Sequence, residues 1–106
     1  MKTDFMAAQE FSRAALLLGD AALQQLSRAK VALFGVGGVG GYVLEALARG
    51  GIGEFHLIDN DVFGVSNLNR QILATRKTIG RPKVEVAKER VLDINPQAKV
   101  FTYPLF

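Results

Sequence analysis

Cysteine is absent from these 106 residues, which excludes a disulfide framework, a thiolate metal site and a cysteine nucleophile within them. Long apolar runs are missing too. Nothing approaches the ~18 consecutive apolar residues of a membrane span. The start, Met1-Lys2-Thr3-Asp4-Phe5, turns acidic and polar where a secretory leader turns apolar. The expectation is a cytoplasmic protein with no membrane partner. Neither sign of charge dominates: 13 Lys and Arg against 10 Asp and Glu leave a formal +3, too mild to point to nucleic acid without clustering on one surface. No repeat, low-complexity tract or Pro/Ser-rich linker divides the chain. What is present is a globular composition, 49% hydrophobic and 22% charged, sized for one small domain or part of one.

Residues 5 to 29 read as helical and interrupted: Ala14 to Leu18 is apolar, Gly19 breaks it, and Asp20 is placed to cap a second turn from Ala21 to Leu26. Val31 to Phe34 is a short apolar run ending at glycine, the pattern of a strand buried on both faces. Gly38 to Arg49 reads as a helix with Val39, Val43, Leu44 and Leu47 on one face, ended by Gly50-Gly51. Phe55 to Ile58 is a second strand closing on Asp59. Pro82 suits the first turn of another helix, in which Val84, Ala87, Val91 and Ile94 recur at helical spacing and which Asn95-Pro96 stops. A third strand begins at Val100. Strands alternating with helices predict an α/β fold, a parallel Rossmann-like sheet with right-handed crossovers and flanking helices, here the first half of a doubly wound domain.

Gly35-Val36-Gly37-Gly38-Val39-Gly40 follows the first strand and opens a helix, the setting in which G-x-G-x-x-G binds nucleotide phosphates. Gly35 serves the tight turn, Gly37 a close backbone approach to phosphate, and Gly40 close packing of helix on strand. The helix start offers unpaired N–H groups to an anion. Asp59, nineteen residues beyond Gly40 at the end of the second strand, stands where a carboxylate accepts from ribose hydroxyls. A turn chosen only for packing would leave Asp59 without a task. The chain therefore divides into an N-terminal helical segment, 1–30, and a nucleotide-binding half-domain, 31–106.

Two nucleotides remain open at this point. NAD needs its pyrophosphate and ribose held but no cation at phosphorus. ATP-dependent nucleotidyl transfer needs cations at the transition state, and the stretch after Asp59 supplies candidates: Arg70 follows a polar loop and Lys83 sits at a helix start. The four cations among Arg76-Lys77-Thr78-Ile79-Gly80-Arg81-Pro82-Lys83 read either as a solvated connection or as phosphate contacts. His56, with no second His or Cys nearby, reads as structural, and Phe34 and Phe55 read as core.

Asp59-x-Asp61, Asn67-x-x-Arg70-Gln71 and Lys83 within Gly80-x-Pro82-Lys83 resemble the pattern of the ubiquitin-activating-like adenylating enzymes, which include activators of sulfur-carrier proteins. Phe11-Ser12-Arg13, Leu16-Leu17-Leu18-Gly19, Asn67-x-Asn69-Arg70-Gln71-Ile72 and Val91-Leu92-Asp93-Ile94-Asn95-Pro96 make the chain similar, within that superfamily, to the tRNA threonylcarbamoyladenosine dehydratases. The resemblance implies ATP and magnesium as cofactors. It implies a nucleotide site of Gly35, Gly37, Gly38, Gly40, Asp59, Asp61, Asn67, Arg70 and Lys83. Arg70 and Lys83 would stabilise charge as pyrophosphate leaves, and Arg13 would be lent to a neighbouring subunit, implying a homodimer. The acyl substrate would be a modified base on tRNA or, alternatively, the C-terminal glycine of a small sulfur-carrier protein. Asp61 is equally read as a turn former, and Arg13 as a stem covering its own helix. The family's metal-associated aspartate falls beyond position 106, so the chain is expected to bind nucleotide but turn over poorly alone. No metal-ligating set is expected within it. The edge of the first strand is expected to be covered by another chain or by a displaced segment.

Overall fold

The structure, a computed structural model, describes residues 19–105. Arg13 and the remaining residues before Gly19 lie outside them. The elements run α1 (Asp20–Arg28), β1 (Lys30–Phe34), α2 (Gly38–Arg49), β2 (Glu54–Ile58), a 3-10 turn (Val65–Asn67), α3 (Lys83–Ile94) and β3 (Lys99–Tyr103). The three strands are parallel and lie in the order β1-β2-β3, with Val31 opposite Phe55 and Phe55 opposite Val100. Each β-α-β crossover moves one strand in the same direction, so α2 and α3 lie side by side on one face of the sheet.

The core fills the space between that face and the two helices. Phe55 and Leu57 point from the centre of β2 at Leu44 and Ala48 of α2 and at Val84 and Val91 of α3, all within 1% of complete burial. The helices are also clamped by charge. Glu45 of α2 accepts from Nε and Nη2 of Arg90 at 2.8 and 2.7 Å, and its Oε2, which takes the second of these, also accepts from Arg49 at 2.7 Å. The bonds from Arg90, reinforced by Arg49, hold the Glu45 carboxyl down to about 2 against the opposing effect of burial.

Several details depart from the sequence expectation. Asp20 is the first residue of α1, and Gly19 occupies the cap position instead. Pro82 stands just before α3, with Lys83 as its first residue. In α2 the buried residues are Gly41, Leu44 and Ala48, while Val39 is 80% exposed and Val43 faces outward. An apolar helical stripe tells which residues are hydrophobic, but the sheet selects which of two overlapping stripes it covers. Likewise β1 is not buried on both faces: its residues alternate between exposed and half-buried, and Phe34 is 70% exposed. Among the described residues β1 pairs only with β2, so a run that reads as central occupies an edge. His56 lies on the sheet face opposite Phe55. Its ring nitrogens meet Glu54 at 2.7 Å and the Tyr103 hydroxyl at 2.8 Å, and its ring stacks on Phe101.

Candidate functional site

The carboxyl ends of β1 and β2 face a common edge, and the two connections that leave them build the site. The first is Gly35-Val36-Gly37. Gly35 has φ 99, a left-handed conformation that a side chain strains, and its N–H donates to the Ile58 carbonyl at 2.8 Å. A Cβ at Gly40 would overlap the Gly35 carbonyl oxygen, so the helix descends against the turn as closely as backbone allows.

Asp59 closes this turn from the side. One carboxylate oxygen accepts the Val36 N–H at 3.0 Å and the other the Asp61 N–H at 2.9 Å, and the residue is 7% exposed. Buried carboxylates require such donors. Asp59 thus has a structural task even in a turn built only for packing, contrary to the sequence expectation. Each of its oxygens keeps a further lone pair for a ligand hydroxyl.

From Asp61 the chain is stitched to the start of α3. The Asp61 carbonyl accepts the Lys83 N–H at 2.9 Å, Phe63 N–H donates to Arg81 at 3.0 Å, and Gly80 N–H donates back to Phe63 at 2.7 Å. Val62 and Pro82 form an antiparallel bridge. This places the Lys83 side chain, 9% exposed, with its ammonium 5.4 Å from the Phe63 ring centroid and 4.0 Å from Asp61 Oδ2. A Cβ on Gly37 would lie 3.0 Å from that ammonium and 2.5 Å from Gln71 Oε1. Gly37 is therefore small because two side chains converge on it.

The other sequence-predicted residues are spread more widely. Asn67 is buried and turns its amide oxygen to the Gly64 N–H at 2.9 Å, shaping the loop. Arg70 is exposed, its Nη1 bonded to the Ser66 carbonyl at 2.7 Å, and it lines a shallow depression of about 210 Å³ with Tyr42, Asn69 and Gln71. The four cations of residues 76–83 have three fates. Arg76 and Lys77 are exposed, Arg81 is paired with Glu89, and Lys83 is buried at the glycine turn. Sequence reasoning missed Phe63 as the floor under Lys83, although an aromatic inside a polar stretch was a usable signal. It also gave Gln71 no role beside Arg70.

The arrangement gathers helix-start N–H groups, a buried ammonium and a carboxylate at the ends of parallel strands, the usual position for a ligand in an open α/β sheet. Comparison with known proteins agrees in kind. The ThiF family's sequence pattern matches residues 11–106. A tRNA threonylcarbamoyladenosine dehydratase of Bacillus subtilis is 44% identical over 97 residues, covering 92% of this chain and 38% of the relative. A sulfur carrier protein adenylyltransferase of Thermus thermophilus is 39% identical over 88 residues, covering 83% of this chain and 32% of its own length. The crystal structure of the Escherichia coli tRNA N6-threonylcarbamoyladenosine dehydratase in complex with ATP superposes with a TM-score of 0.96 at 42% identity, over all of this chain and 44% of that one. The chain thus spans less than half the length of each of these relatives, and it belongs to the ThiF family.

Proposed function

We propose that this chain binds ATP at the carboxyl ends of β1 and β2 as the nucleotide-binding part of an enzyme that adenylates a carboxylate, the substrate being threonylcarbamoyladenosine on tRNA. The observation that carries the reading is the convergence of Asp59 and the Lys83 ammonium on one glycine turn. The naming of the Bacillus relative and the ATP complex of the Escherichia coli one support the choice of nucleotide and acyl substrate.

In this reading Gly35, Gly37, Gly38 and Gly40 form the bed of the nucleotide and Asp59 accepts from its ribose. Asn67, Arg70 and Lys83 serve the phosphates, with Asp61 beside Lys83. An oxygen of the substrate carboxylate attacks the α-phosphorus, the bond from that phosphorus to the bridging oxygen breaks, and pyrophosphate leaves with the electron pair. Arg70 and Lys83 stabilise the charge that develops there. Arg13, supplied by a second subunit, completes the cation set and makes a homodimer part of the proposal. Among the described residues no group of three or more His, Cys, Asp or Glu could hold a metal; in this reading magnesium accompanies the ATP phosphates. Among them no helix is long and apolar enough to cross a membrane, and the cytoplasm is the proposed compartment.

Calorimetric titration with ATP and magnesium, run against NAD at the same salt, tests the nucleotide. Tighter ATP binding that weakens in Arg70→Ala is expected. Tighter NAD binding, indifferent to Arg70, overturns the reading. The Thermus relative supports a second acyl substrate, the C-terminal glycine of a carrier protein. Fluorescence anisotropy of the ATP-saturated chain with tRNA and with such a carrier separates the two.

A further inference from the structure

Among the described residues, Gln71 Oε1 is the single buried side-chain polar atom without a hydrogen-bond partner. Its backbone is fully employed: its N–H donates to Asn67 and its carbonyl accepts from Ala74. The loop therefore fixes where the side chain starts, and the side chain ends at Gly37, in the space shared with the Lys83 ammonium. Folds rarely leave a buried acceptor unmatched, and such exceptions concentrate at sites of function.

A carboxamide presents an acceptor at one end and two donors at the other in nearly the same shape. Beside an ammonium, electrostatics turns the oxygen inward. An anion seated against the same ammonium would reverse that preference and draw the amide N–H inward. A carboxylate at position 71 would instead neutralise Lys83 and repel the anion, and an alkyl group would answer neither. Glutamine is the side chain that can face the cation alone and the cation with an anion on it.

We propose that Gln71 is a phosphate contact of the nucleotide site, its carboxamide turning end for end to donate to a phosphoryl oxygen seated between Gly37 and Lys83. This rests on the ATP reading above and adds to it a residue that senses the polyphosphate rather than the nucleoside.

The test compares ATP, with magnesium, and adenosine as ligands of the 106-residue chain. Relative to wild type, Gln71→Leu is expected to weaken ATP about tenfold and Gln71→Glu about a hundredfold, with adenosine affinity unchanged in both. In 15N-labelled wild-type protein the Gln71 side-chain amide resonances should move with ATP and stay with adenosine, which settles the matter even if a variant misfolds. Two outcomes overturn the Gln71 contact while leaving the nucleotide reading in place. One is ATP binding that depends on Lys83 but is indifferent to Gln71, with unmoved amide resonances. The other is an equal loss of ATP and adenosine, the sign of a packing role. Absence of ATP binding by the wild type overturns both.

Discussion

Two β-to-α connections leave the same edge of the sheet and solve the same problem in opposite ways. The one from β1 to α2 is Gly35-Val36-Gly37, and its chemistry is backbone: a left-handed glycine, a helix start and an N–H given to Asp59. The one from β2 to α3 runs from Asp59 to Pro82, and its chemistry is side chain: Asn67, Arg70, Gln71 and, at its end, Lys83. In the proposed reading the short connection is the bed for a phosphate. In the same reading the long one supplies the side chains that meet the rest of the ligand. Asp59 and the Gln71–Gly37–Lys83 contact are where the two are tied.

The difference predicts that substitutions in the short connection unfold the protein and those in the long one spare it. The largest effect is expected for Gly40→Val, in the first turn of α2 where the helix packs against the short connection. Its Cβ would meet the Gly35 carbonyl, and the gain of a helical side chain cannot offset the overlap, so urea denaturation should show a loss of about 3–4 kcal/mol. Asp59→Asn, at the tie, should lose about 2 kcal/mol and most nucleotide affinity, because an amide cannot accept both backbone N–H groups as well as a carboxylate does. Arg70→Ala should move stability by less than about 0.5 kcal/mol while weakening ATP about tenfold. If its melting temperature falls as far as that of Asp59→Asn, the division between the two connections is wrong.

A smaller effect lies outside both. The Glu45 carboxyl sits at about 2 in the folded chain against an ordinary 4.5, because Arg90 and then Arg49 bond to it. A lowered folded value stabilises above the unfolded value and is lost as pH falls. This contribution should be complete above about pH 5 and vanish between there and pH 2. With both arginines partly solvated, it should amount to about 1 kcal/mol. Stability of Glu45→Gln and wild type measured from pH 7 to 2 should converge at the acid end.

The strand-helix alternation, the ends of α2 and the turn residues were legible in the sequence, because each depends on near neighbours in the chain. So was the association of Gly35 to Gly40 with Asp59, since a fixed crossover sets that spacing. What was not legible depends on contacts distant in sequence. Val39 and Val43 belong to an apolar stripe that the sheet does not cover, and Phe34 looks like core until its strand is found at an edge. Gly37 was read as room for a ligand, yet the room is shared by Gln71 and Lys83, which reach it from the other connection. No local pattern announces that meeting.

The clasp between Phe63 and Gly80 and the bridge between Val62 and Pro82 pin both feet of the long connection side by side. The excursion between them is a closed circuit, and its length is uncoupled from the separation of Asp59 and Lys83. Residues inserted at the exposed Arg76-Lys77 would enlarge the loop without spreading its base, at a closure cost that grows only with the logarithm of its length. The fold thus contains a place where new recognition surface can be grafted beside the glycine turn while the geometry of Asp59 and Lys83 stays as it is.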